Sequence, residues 1–129
     1  MRRKIIHAVD RSPAPEAVYA RAAAADDMLG TRFSPEEIVF PVGLHREYLP
    51  YAAVRWAYLR VEESRVTLGC CNGVIEDNRL MLVTADGCAV AVPFDRASYA
   101  EHALELVRRA APHIAIGFTE DNRRKYAAI

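Results

Sequence analysis

Residues 79–94 read RLMLVTADGCAVAVPF. Two apolar runs, RLMLVT and CAVAVPF, flank Ala85-Asp86-Gly87. Asp-Gly between apolar runs is a strong signal for an antiparallel hairpin. With a two-residue turn, Val83 would oppose Val90 and Leu82 would oppose Ala91. Upstream, residues 53–62 (AVRWAYLRVE) form a longer predicted strand rich in aromatic and β-branched side chains. Val54, Trp56 and Tyr58 fall on one face, and Ala57, Leu59 and Val61 on the other. A strand apolar on both faces is covered on both, at least in part. Residues 38–42 (IVFPV) and 46–49 (REYL) are predicted as short strands separated by Gly43.

Between the two strongest strands lie residues 64–78, with LGCCNG at 68–73. Asn72-Gly73 offers a second turn there. Pairing of VTLGCC with VIEDNR and an irregular loop are both open readings.

Helices flank the strand region. Residues 12–30 begin with Ser12 as a cap and Pro13 at the first helical position. The run continues over a narrow face of Val18, Ala22, Ala25 and Leu29, and Gly30 would stand just past its end. Residues 98–111 (SYAEHALELVRRAA) carry the S-x-x-E capping box in Ser98 and Glu101. Ala100, Ala103, Leu104, Val107 and Ala111 form a stripe at helical spacing. Glu105 and Arg109 are an i,i+4 pair, and Pro112 ends the helix. The tail, residues 112–129, predicts a short extended piece and a helical turn or two after Thr119. With no repeat and no long linker, residues 1–129 are expected to be one domain, with strands spanning 36–95. The fold class is α+β: a curled antiparallel sheet, an N-terminal helix, and a C-terminal amphipathic helix packed on the sheet.

Composition limits the function classes. Lys+Arg and Asp+Glu are both 17, so the net charge is zero. Nucleic-acid binders usually carry a basic excess, so nucleic acid is disfavoured as a partner. The basic start MRRK is followed by His7 and Asp10, so no signal-peptide core develops. A cytoplasmic protein with three free thiols is the expectation.

Three stretches resemble pleckstrin-homology-like (PH-like) domains of uncharacterised bacterial families. YLPYAAVRWAYLR (48–60) is similar to their polar strand, Pro and apolar aromatic strand. RLMLVTADGCAVAVPF (79–94) resembles the hairpin that follows, and PHIAIGFTEDN (112–122) their Pro-x-Ile-x-x-Gly-aromatic ending. The resemblance covers roughly residues 36–122. It implies a partial PH-like barrel acting as a binding scaffold, with no catalytic residues to carry over. A full barrel of this type has seven strands, and the sequence supplies five or six, unless residues 64–78 contribute the rest.

Adjacent Cys70 and Cys71 point to opposite sides of an extended chain, which suits convergence on zinc poorly. They read as small apolar packing residues. Cys88 with His45, His102 or His113 is the alternative, a small cysteine/histidine-dependent or metal-binding enzyme. No cofactor and no catalysis are expected. Trp56, Tyr58, Tyr48 and Tyr51 are interface candidates, since Trp and Tyr are enriched at binding hot spots. Arg2, Arg3 and Lys4 with Arg123, Arg124 and Lys125 would form a basic patch if the termini meet, giving a second alternative, a module for acidic lipid headgroups. The leading expectation is a small non-catalytic binding module whose partner is a protein or a second copy of the chain, as a homodimer.

Overall fold

The computed structural model describes residues 5–68 and 71–126, with residues 64–68 and 71–76 described as backbone. Its organising feature is one long antiparallel hairpin. β6 (Val54–Leu68) and β7 (Cys71–Thr84) stay in register from Trp56 opposite Val83 to Leu68 opposite Cys71. Residues 64–78 are therefore paired strand. Asn72 and Gly73 lie inside the ladder, opposite Thr67 and Val66, and are not the turn. Cys70 lies outside the described residues.

The remaining elements are β1 (Ile6–Ala8), α1 (Glu16–Ala24), β2 (Asp27–Met28), β3 (Thr31–Phe33), β4 (Glu37–Val42), β5 (His45–Pro50), a 3-10 turn at Tyr51–Ala53, β8 (Ala89–Phe94), α2 (Ala97–Ala110), β9 (Ala115–Ile116) and α3 (Glu120–Tyr126). The strands form two sheets, ordered β1-β5-β4-β3-β2 and β8-β7-β6-β9. The expected single curled antiparallel sheet is thus corrected to two mixed sheets that do not close into a barrel. Two features cause this. The 3-10 turn carries the chain from β5 into the other sheet. The outer strands β1 and β9 pair in parallel with β5 and β6, bringing together segments distant in sequence.

Side chains of both sheets share one core. Ile38, Phe40 and Leu49 from the first meet Leu80, Leu82, Val92 and Phe94 from the second, under Ala100, Ala103 and Val107 of α2. The small residues of the α2 stripe let the helix axis approach the sheet closely. A smaller cluster, Ile6, Val18, Ala22 and Val39, seats α1. Among the described residues, no helix is long and apolar enough to cross a membrane.

Several local expectations are corrected. The 79–94 hairpin is offset by one residue: Leu82 opposes Val90, and Val83 opposes Ala89. Gly87 N–H donates to Thr84 O at 3.0 Å, and Thr84 N–H to Cys88 O at 2.9 Å. Only Gly87, at φ 88°, enters the left-handed region, whereas a two-residue type I′ turn needs two such residues. The loop is therefore a three-residue turn closed by a glycine bulge.

α1 starts three residues later than expected, at Glu16 and not Pro13, and stops at Ala24. Ser12 turns back to Asp10 Oδ1 (backbone 3.0 Å, hydroxyl 2.6 Å) and does not cap the helix. Leu29 and Gly30, at φ 53° and 94°, make the two-residue turn between β2 and β3. Gly30 is thus a hairpin residue and not a helix terminator. In α2, Arg96 holds the N-cap position without a side-chain cap bond, so the Ser98–Glu101 box does not operate.

The Glu105 pairing on α2 does form. Glu105 accepts from Arg108 Nε at 2.8 Å and from Arg109 Nε at 3.1 Å. The Arg108 hydrogen bond leads in holding the Glu105 carboxyl down, to about 2. A folded-state value below the ordinary one means that the pairing stabilises above the ordinary carboxyl range and is lost as pH falls through about 2. An NMR titration of the Glu105 side chain should show that midpoint, and Arg108→Gln should move it upward; an ordinary Glu midpoint in the unaltered chain would contradict the pairing.

Candidate interaction surface

The central hairpin outruns both of its neighbours. β8 pairs with β7 only from Asn78 to Val83, and β9 pairs with β6 only at Trp56 and Ala57. Residues 61–68 and 71–77 therefore continue as a two-stranded ribbon, reaching about 25 Å past the body at ordinary strand rise. Isolated two-stranded ribbons are marginal in water, so an arm of this kind gains from a partner.

Charge is banded at the stem of the arm. Arg60 stands directly opposite Arg79, and Glu62 opposite Asp77. Like charges opposite each other destabilise a ladder. Each arginine turns along its own strand instead: Arg60 pairs with Glu62, and Arg79 Nη2 lies 2.7 Å from Asp77. Val61, between the bands, is 54% exposed. None of these residues was a sequence-based site candidate. Their arrangement depends on register, which only the completed pairing fixes.

The structure separates the four aromatic candidates. Trp56 and Tyr58 come together on the sheet face away from α2, with ring centroids 4.2 Å apart. Phe118 and Tyr126 stack around Trp56 at 5.7 and 6.3 Å. Trp56 is buried, and its indole N–H donates to Gly117 O at 2.8 Å. Phe118, missed in the sequence reading, is exposed at the rim of this cluster. Tyr48 packs against the α1 cluster, and Tyr51 is buried in the main core. The buried Tyr51 hydroxyl is pushed well above the usual phenol range by desolvation, with the Glu37 carboxylate adding to it.

The cysteine and histidine candidates are dispersed. Cys88 is exposed on the β7–β8 turn. It borders an open, mainly apolar cleft of about 630 Å3 with Val9, Tyr48, Pro50 and Ala53, whose walls contain no histidine. His45 meets His7 edge to face at 5.7 Å, and His102 lies beside Met28 and Phe33. His113 Nε2 sits 3.0 and 3.1 Å from the carbonyls of Tyr51 and Val54. Carbonyls only accept, so this nitrogen carries a proton and is not free as a base or metal ligand. Among the described residues, no group of three His, Cys, Asp or Glu could hold a metal ion.

Arg123, Arg124 and Lys125 are exposed on α3, with Arg123 3.7 Å from Glu120. Arg2, Arg3 and Lys4 lie outside the described residues. Comparison with known proteins finds no matching family model, no matching curated protein and no matching solved structure.

Proposed function

We propose that this chain is a non-catalytic protein-binding module of PH-like type, acting in the cytoplasm, with the β6–β7 arm as its binding element. The observation that carries the reading is the length of the arm. A ribbon that leaves its sheet has backbone edges to offer a partner, a common mode of recognition by strand addition. The likeness to PH-like domains draws support from hairpin strands packed under a C-terminal amphipathic helix, and the two open sheets are a departure from a full barrel. The scatter of Cys88 and the histidines favours binding over a cysteine/histidine enzyme.

The test compares tagged full-length protein with a variant in which residues 64–75 are replaced by Asn-Gly. The Asn-Gly turn joins residues 63 and 76, which already stand opposite each other, and Val61 and Glu63 are exposed, so the shortened chain should unfold at nearly the same denaturant concentration. A stoichiometric protein partner that is lost on shortening supports the reading, as does self-association that is lost on reversing Arg60 or Glu62 at the stem of the arm, which shortening leaves in place. Stoichiometric zinc with no partner, or binding that follows acidic vesicles and ignores the arm, overturns it.

A further inference from the structure

We infer that the partner of the arm is a second copy of the chain, joined edge to edge through β6 with Val61 opposite Val61. This deepens the reading of the arm as a binding element and rests on it. The orientation of β6 comes first. Gly117 N–H donates to Ala57 O at 2.8 Å, so Ala57 turns its carbonyl toward the β9 side. The N–H and C=O of a strand residue point to one side, and the side alternates along the strand. Leu59, Val61 and Glu63 therefore offer their backbone groups to that same edge. Among the described residues, no strand pairs with it beyond Ala57.

Charge then selects the register. An antiparallel two-fold pairing centred on Val61 sets Arg60 opposite Glu62 of the second copy, and Glu62 opposite its Arg60. These are non-hydrogen-bonded pairs, in which cross-strand side chains approach most closely. Leu59 faces Glu63, and the two Val61 side chains meet. Centring on Arg60, Glu62 or Glu63 would set like charges against each other, and centring on Leu59 would leave Glu62 without a match. The equivalent charges on β7 cannot serve, because β8 already pairs at Arg79. Charges on an exposed edge ordinarily discourage pairing; here they are self-complementary, as an isologous interface requires. β9 limits the shared ladder to about residues 59–63.

Sedimentation of Arg60→Glu, Glu62→Arg and the double swap tests this. Each single reversal should weaken the dimer roughly thirtyfold, and the swap should restore it to within about threefold. Loss of folding does not explain such a pattern, since Arg60→Glu places an acid opposite Arg79 within the chain. Val61→Cys should cross-link on oxidation, as hydrogen-bonded pairs stand ~5.5 Å apart at Cα, within disulfide reach. Peptide mapping identifies the 61–61 link. A dimer indifferent to both reversals overturns the inference. So does cross-linking through Ser64→Cys but not Val61→Cys, which would mark the register setting Glu63 opposite Arg65. A monomer that still holds a different protein through the arm overturns this inference and leaves the binding-module reading standing; a monomer with no arm-dependent partner overturns both.

Discussion

Trp56→Ala is expected to lower the stability of the chain by about 3–5 kcal/mol, the range for removing a large buried aromatic side chain. Trp56 does more than fill space. It is the platform for Tyr58, Phe118 and Tyr126, and its N–H holds Gly117, the residue that follows β9. α3 has no buried residue of its own. Its attachment depends on this cluster and on Asn122, whose Nδ2 donates to Gly117 O at 3.0 Å. Limited proteolysis of Trp56→Ala should therefore cut within residues 117–126 before the body unfolds. Trp56→Phe keeps a ring in place and loses the indole hydrogen bond. With Gly117 O still served by Asn122, its cost should be about 1–2 kcal/mol. Denaturant unfolding followed by circular dichroism measures both variants. A loss below about 1 kcal/mol for Trp56→Ala would refute the role assigned to the cluster.

Arg21→Met should lower stability by about 2–4 kcal/mol. Glu37 is the most buried charged side chain described, at 3% side-chain exposure. Arg21 of α1 holds it, with Nε 3.0 Å from Oε2 and Nη2 2.6 Å from Oε1, and Arg21 Nη1 also reaches Glu36 at 3.3 Å. Removing the guanidinium leaves a carboxylate uncompensated in the interior beside the Tyr51 ring. Breaking a fully buried pair typically costs about 3–5 kcal/mol. The expected value is set lower because the Arg21 side chain is 32% exposed and water reaches that side of the pair. The double variant Arg21→Met, Glu37→Met should recover most of the loss, since an apolar pair of similar volume removes the stranded charge. A double variant no better than Arg21→Met would show that the loss comes from packing of α1, not from the charge.

Much of the local structure was legible in the sequence because it rests on short-range pattern. The apolar runs of 79–94, the mixed strand beginning near Val54 and the Ala100–Ala103–Val107 stripe each announce an element through side-chain periodicity. That periodicity follows from backbone geometry alone. Turn details were less legible. Asp86-Gly87 marks a hairpin, yet the one-residue choice between a two-residue turn and a glycine-bulge turn depends on how the flanking strands seat Leu80, Leu82 and Val92 in the core. Asn72-Gly73 is a good turn pair that the longer ladder overrides.

The sequence by itself determined an α+β chain with a hairpin over residues 79–94, a C-terminal amphipathic helix and a balanced charge. Tertiary structure alone decided that there are two sheets, because β1 and β9 are short strands completed by partners that lie roughly 40 and 60 residues away. It also decided the stem of the arm. Arg60, Glu62, Asp77 and Arg79 look like ordinary solvated charges in one dimension. Only the register of β6 on β7 sets like against like within one chain, and only the early end of β9 leaves the β6 edge open. Both are long-range outcomes, fixed when the core aligns the strands, and no local pattern encodes them.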